Sequence, residues 1–295
     1  MSRADDQHLD DPTCTRATEI REYPTAGFLE GSIAMGRVQE RVVIVTGGAG
    51  GIGAAACRAI AAEGGKVVVA DLDEYAARAV ADAIIETGGS ATSTRVDVTD
   101  RAQVQAMIRV AVESFGALDV IFNNAGMNRP RGFMDVDEAN FDEIVRVNTW
   151  GVIVCTQEAA KQMIEQGTGG KIINTGSIAS RQGFWDFVPY CVAKFGTLAV
   201  TQATARGLIE HGITVNAFAP GVVDTPMWVG LNEDIRAIHA QPPDADPMRE
   251  FATGTLVGRP AKPEEVAPFL VYLASSESDY MTGQMYMVDG GQVLV

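Results

Sequence analysis

The chain has 295 residues, enough for one large domain or two small ones, and its 38 Asp and Glu against 23 Lys and Arg give a formal charge of -15. Such a surface repels nucleic acid and anionic membranes, which leaves neutral or hydrated small molecules as the expected partners. The opening MSRADDQHLDDP lacks the apolar stretch of a secretory signal, and no apolar run approaches the roughly 18 residues of a membrane span, so the expected location is cytoplasmic.

In chain order, the first segment is acidic. Met1 to Ala34 carry seven Asp and Glu against three Arg, with little apolar periodicity. A flexible N-terminal extension is expected over residues 1–35, with Met35 as the native start. From there a catalytic domain is expected over residues 36–295. Val42-Val43-Ile44-Val45 is an unbroken apolar strand of the kind buried on both faces of a parallel sheet. Further strands are predicted at 66–71, 92–97, 118–123, 170–175 and 213–219, with amphipathic helices between them. This alternation predicts an α/β fold, a single Rossmann-type doubly wound parallel sheet flanked by helices. The long departure is 224–258, rich in Pro, Met, Asp and Asn. It starts at the carboxyl end of a strand, where sheets of this type bind ligands, and is read as a substrate lid. Cys14, Cys57, Cys155 and Cys191 form no CxxC pair and three of them fall in predicted helices, so buried free thiols in a reducing compartment are expected.

Thr46-Gly47-Gly48-Ala49-Gly50-Gly51-Ile52-Gly53 follows the first strand and opens the first helix, the context of a phosphate-binding turn. A plain tight turn would also use these glycines. Asp71 ends the second strand about 20 residues on, where a carboxylate accepts hydrogen bonds from an adenosine ribose and repels a 2'-phosphate. No Arg or Lys lies in the glycine turn or between Asp71 and Tyr75, which favours NAD over NADP.

The three histidines, His8, His211 and His239, accompany no plausible nucleophile, and no His/Cys/Asp cluster has ligand spacing; no metal is expected. Tyr190 and Lys194, in Tyr190-Cys191-Val192-Ala193-Lys194, share one face of a predicted helix. An ammonium beside a phenol lowers its pKa of about 10 toward working pH, which makes tyrosine a proton carrier. An isolated Y-x-x-x-K is also a common feature of amphipathic helices.

The surrounding motifs decide between these readings. TGGAGGIG at 46–53, Asp97-Val98, Asn123-Asn124-Ala125-Gly126, Asn148, Ser177, YCVAK, Pro220-Gly221 with Thr225, and Val288-Asp289-Gly290-Gly291 occur in order. In this series the chain resembles the short-chain dehydrogenase/reductase family from about Gly36 to Val295. The resemblance implies Asn148, Ser177, Tyr190 and Lys194 as the catalytic set. Tyr190 exchanges the substrate proton, Lys194 lowers its pKa and bonds the nicotinamide ribose, Ser177 holds the reacting oxygen, and Asn148 anchors a water between Lys194 and solvent. It further implies NAD on Gly47, Gly51, Ile52 and Gly53 at the pyrophosphate, Asp71 and Leu72 at the adenosine ribose, and Asp97 and Val98 at adenine. Asn124, Ala125 and Gly126 end a strand beside it, while Pro220, Gly221, Val223 and Thr225 lie toward the carboxamide. A homotetramer is implied too, and the apolar Val293-Leu294-Val295 suits burial against a neighbour.

Specificity is expected from 127–131, 178–189 and the lid. PGVVDTPMW at 220–228 resembles acetoin/2,3-butanediol and sorbitol-type members, and NNAGMNRP with RQGFWDFVPY resembles sugar-alcohol and gluconate oxidoreductases. The expected substrate is a secondary alcohol on a polyol or vicinal diol. Arg129 and Arg131 are candidates for a substrate carboxylate, or solvated. Phe184, Trp185, Phe187 and Trp228 either line an apolar pocket or pack the lid or a subunit contact. Reduction of a 3-oxoacyl thioester, oxidation of a hydroxysteroid, and a non-catalytic NAD sensor are the alternatives.

Overall fold

The structure, a computed structural model, describes residues 36–294. The expected extension over 1–35, the start at Met35, Cys14, His8 and Val295 lie outside the described residues. Seven strands form one sheet in which every pairing is parallel: β1 (Val42–Thr46), β2 (Lys66–Asp71), β3 (Ser90–Arg95), β4 (Val120–Asn123), β5 (Gly170–Thr175), β6 (Ile213–Pro220) and β7 (Met285–Val288). Their order is β3-β2-β1-β4-β5-β6-β7. The chain therefore winds outward from β1 in one direction and returns to continue from β4 in the other. The reversal opens a crevice at the carboxyl ends of β1 and β4.

The helices are α1 (Gly51–Ala62), α2 (Glu74–Glu86), α3 (Arg101–Phe115), α4 (Glu138–Val145), α5 (Gly151–Gln166), α6 (Val188–Leu208), α7 (Met227–Ile238), α8 (Pro247–Ala252) and α9 (Pro263–Ala274). Side chains of a strand alternate between its faces, and β1 and β2 carry apolar residues on both faces over Val42–Val45 and Val67–Ala70, so each feeds two cores. Val43 and Val45 of β1 with Val67 and Val69 of β2 meet α1, α2 and α9 on one side. Val42 and Ile44 with Val68 and Ala70 meet α3, α5 and α6 on the other. Full burial of each such side chain contributes roughly 1.5–3 kcal/mol.

Several strand assignments differ from the sequence expectation. The third strand is Ser90–Arg95 rather than 92–97, because its register is fixed by pairing with β2, from Lys66 opposite Ser90 to Asp71 opposite Arg95. β4 begins at Val120 rather than at 118. β7 is a short edge strand that the apolar patterning did not single out.

The lid region also carries more structure than its composition suggests, since α7 and α8 both lie inside it. Leu231 and Ile235 are the buried stripe of α7. Pro226 and Pro247 sit at the starts of these helices, where a missing N–H is harmless, so the prolines that read as loop residues are helix initiators. Cys57, Cys155 and Cys191 are buried free thiols in α1, α5 and α6. No helix of the described residues is long and apolar enough to cross a membrane.

Candidate active site

The crevice at the carboxyl edge of the sheet is a cavity of about 500 Å³. At one end is the turn between β1 and α1. Gly47 and Gly51 there have φ of 63° and 52°, a conformation strained for any residue with a Cβ. Gly53 does not line the cavity; a Cβ on it would lie 2.0 Å from the Gly47 carbonyl oxygen, so its part is to let helix and turn close together. Asn124 Nδ2 holds the turn from below by donating to the carbonyls of Thr46 and Gly47, each at 3.1 Å. α2 and α3 are capped by Asp73 and Asp100, whereas α1 begins at Gly50 with no side-chain cap. Its first N–H groups are thus available to an anion at the cavity edge. Asp71 is fixed at the end of β2, one carboxylate oxygen accepting from Ala49 N at 3.0 Å and the other from Asp73 N at 3.1 Å.

The cavity wall contains Gly47, Gly51, Ile52, Asp71, Leu72, Asp97, Val98, Asn124, Ala125, Gly126, Pro220, Gly221, Val223 and Thr225, so of the sequence-predicted cofactor set all but Gly53 line one space. The residues present fit a dinucleotide. Crowded glycines, an uncapped helix start and an oriented carboxylate follow one another along that wall.

Asn148, Ser177, Tyr190 and Lys194 line the same cavity. Ser177 follows β5, whose last residue is Thr175, and its hydroxyl accepts from Ala179 N at 3.1 Å. Tyr190 and Lys194 stand one turn apart at the start of α6. Lys194 is 4% exposed; its Nζ donates to the Thr175 carbonyl at 2.8 Å and lies 5.5 Å from the centre of the Tyr190 ring. Asn148 sits in a widened π-helical segment, Arg146–Trp150, between α4 and α5. Its Nδ2 donates to the carbonyls of Met127 (2.7 Å) and Ile144 (2.9 Å), and its Oδ1 accepts from Met127 N (3.3 Å).

Burial dominates the electrostatics of both groups. Burial pushes Tyr190 up to about 12, and the hydrogen bond of the Ser177 side chain only partly opposes this. Burial pulls Lys194 down to about 8. Desolvation penalises the charged form of both groups, phenolate and ammonium alike.

At the other end of the cavity, α7 and α8 bring Trp228, Leu231 and Phe251 against Phe184 and Phe187. Phe187 and Phe251 stack with centroids 5.9 Å apart and planes at 8°. Phe187 also meets Tyr190 edge-on at 6.4 Å. Trp185 is not in this wall: it is 56% exposed and its ring lies 5.1 Å from that of His239. His239 Nε2, just past α7, is 2.9 Å from Asp186 Oδ2, a carboxylate only 2% exposed. This contact fastens the lid to the loop before α6. Arg129 pairs with Glu143 at 3.2 Å, and neither Arg129 nor Arg131 lines the cavity.

Sequence reasoning missed Thr175, Phe251 and the Asp186–His239 contact. Their residue types are unremarkable, and each acquires its part only from a segment distant along the chain.

A family model described as enoyl-(acyl carrier protein) reductase matches residues 47–292. The L-2,3-butanediol dehydrogenase of Corynebacterium glutamicum is 39% identical over 257 residues, which cover 86% of this chain and 98% of that protein. The galactitol 2-dehydrogenase of Agrobacterium fabrum is 36% identical over 255 residues, again 86% of this chain and 98% of that one. A crystal structure of a short-chain type dehydrogenase/reductase from Mycobacterium marinum matches with a TM-score of 0.79 and 32% identity, covering 88% of this chain and 97% of the other. Likeness of this extent, in sequence and in three dimensions, takes in the glycine turn, the strand order and the helix bearing Tyr190 and Lys194: the chain belongs to the short-chain dehydrogenase/reductase family of oxidoreductases.

Proposed function

We propose that the chain is an NAD-dependent enzyme that interconverts a secondary alcohol and a ketone, on a vicinal diol or polyol, with Tyr190 as the acid and base. The observation that carries this reading is the convergence of Ser177, Tyr190 and Lys194 on the cavity that also holds the glycine turn and Asp71. Bound nicotinamide dinucleotide supplies the hydride acceptor or donor. Ser177 holds the reacting oxygen through its hydroxyl, a dipole already oriented before charge develops there. Tyr190 gives that oxygen its proton in reduction and takes it back in oxidation. With a pKa pushed up to about 12, the phenol is protonated at neutral pH and ready as an acid. Lys194, pulled down to about 8, exchanges protons more easily than an exposed lysine does. Asn148 spends its side chain on Met127 and Ile144, so a water serving Lys194 would be held by the main chain of the widened turn.

The cofactor roles follow the wall of the cavity. Gly47, Gly51 and Ile52 take the pyrophosphate, Asp71 and Leu72 the adenosine ribose, Asp97 and Val98 the adenine, and Val223 with Thr225 the carboxamide. Asp71 supports NAD over NADP, since Lys194 is the one cation in the wall of the cavity among the described residues and a 2'-phosphate would face the carboxylate alone.

A panel of polyols, vicinal diols, hydroxy acids and steroids, assayed with NAD and with NADP in parallel, tests both parts. Reduced NAD is expected from diols or polyols. Preference for NADP would refute the part assigned to Asp71, and turnover of steroids alone would replace the substrate class. A homotetramer is proposed as well, supported by exposed Trp150, Val192 and Phe195 on α6 and its neighbouring segment. Light scattering at micromolar concentration is expected to give four times the chain mass; a monomer would exclude it.

A further inference from the structure

The lid end of the cavity is a hydrocarbon site with few spare polar contacts. Phe184, Phe187, Trp228 and Phe251 supply its walls, with Leu231 between them. Phe251 lies 6.0 Å from both Phe184 and Trp228, so the rings form a continuous surface rather than scattered contacts. No arginine lines the cavity, and its one lysine is engaged with Thr175, which leaves a carboxylate or phosphate on the substrate without a partner.

Polar side chains at this end are few. Ser177 and Tyr190 are assigned to the reacting oxygen, and the Asn148 amide is fully used by the main chain. Asn128 remains. It lines the cavity, and its Oδ1 is buried without a hydrogen-bond partner among the described residues. Its position is fixed from the carboxyl side: Asn140 Nδ2 donates to the Arg129 carbonyl at 3.1 Å, and Arg131 N donates to the Asp186 carbonyl at 3.0 Å. A buried amide oxygen without a donor is costly, and a hydroxyl brought in by a ligand removes that cost. Turned over, the same amide offers an N–H to a carbonyl.

Resting on the alcohol–ketone reading above, we propose that the substrate is a vicinal diol, or the corresponding α-hydroxy ketone, on an otherwise hydrocarbon frame, and that Asn128 recognises the second oxygen. A sugar alcohol fits poorly. After one hydroxyl reaches Ser177 and Tyr190 and a second reaches Asn128, the others face aromatic rings that accept no ordinary hydrogen bond. The frame of a diol with a ring or short branches instead fills the aromatic walls.

The test uses the full chain with NAD and three probes: trans-cyclohexane-1,2-diol, cyclohexanol and sorbitol. The wild type is expected to favour the diol over cyclohexanol in kcat/KM by about tenfold, the worth of one buried hydrogen bond. Sorbitol is expected to fall at least about tenfold below the diol, for the hydroxyls it leaves unpaired. In Asn128→Leu the preference for the diol over cyclohexanol is expected to collapse to within about twofold, with the loss in KM rather than kcat. Asn128→Ala serves the same purpose with less bulk. Binding of the diol to Tyr190→Phe loaded with NAD, followed by tryptophan fluorescence, gives a readout without turnover, and adding Asn128→Leu is expected to weaken it by the same factor. Sorbitol preferred over the diol, or equal losses for diol and cyclohexanol in both Asn128 variants, would overturn the inference and leave the alcohol–ketone reading standing. No oxidation of any secondary alcohol, with no reduction of the matching ketones, would overturn both.

Discussion

Tyr190→Phe is expected to lower kcat by about 10²–10⁴-fold, the range that a positioned general acid or base contributes, while leaving NAD affinity within about twofold. The substitution removes the hydroxyl alone. The ring stays in place against Phe187, which it meets edge-on at 6.4 Å, so the aromatic wall and the start of α6 are preserved. In the proposed mechanism the protonated phenol, pushed up to about 12 by burial, is the proton donor for ketone reduction, and phenylalanine leaves that proton to water. Steady-state rates together with NADH binding by fluorescence separate chemistry from affinity. Turnover within a few-fold of wild type would show that another group carries the proton, and would also restore the possibility of a non-catalytic sensor.

Lys194→Met is expected to stabilise the folded protein by about 1–3 kcal/mol at neutral pH, while turnover is lost. The side chain is 4% exposed, and burial pulls its pKa from 10.5 down to about 8. At about 1.4 kcal/mol per pH unit, this corresponds to an upper bound of roughly 3 kcal/mol of destabilisation from the buried ammonium. The hydrogen bond to the Thr175 carbonyl is lost in the variant and offsets part of the gain, typically about 1 kcal/mol. The sign with pH is fixed by linkage. An unfolded lysine keeps its proton up to about 10.5 and the folded one releases it near 8, so between these values the unfolded chain binds more protons and stability rises with pH. The advantage of methionine is therefore full below about pH 8 and gone by about pH 10.5. Urea unfolding of both proteins at the two ends of this window reads the effect directly. A variant less stable than wild type at neutral pH would mean that the ammonium stabilises the fold.

In the proposed active site, function is held against local stability. The lysine is kept in a buried position that disfavours its charge, and the phenol in one that disfavours ionisation, by the packing of α6 against β5 and the lid. Stabilising such a site by substitution is easy, and the cost falls on function.

The sequence alone determined the parallel sheet, the glycine turn at its switch point and the helix face shared by Tyr190 and Lys194. Each is encoded between neighbours: apolar runs such as Val42–Val45, glycines at fixed spacing, two side chains one turn apart. The same local reading found Asp71 at a strand end, while Asn124 and Ser177 came from the family resemblance of the motifs around them. Tertiary structure alone decided the rest. Phe251 and Trp228 became part of the aromatic wall because α7 and α8 fold back over the loop before α6, and His239 met Asp186 by the same return. The direction in which the phenol and the ammonium are shifted was also beyond the sequence, because desolvation depends on everything packed around a group, and spacing along a helix reports only the one neighbour.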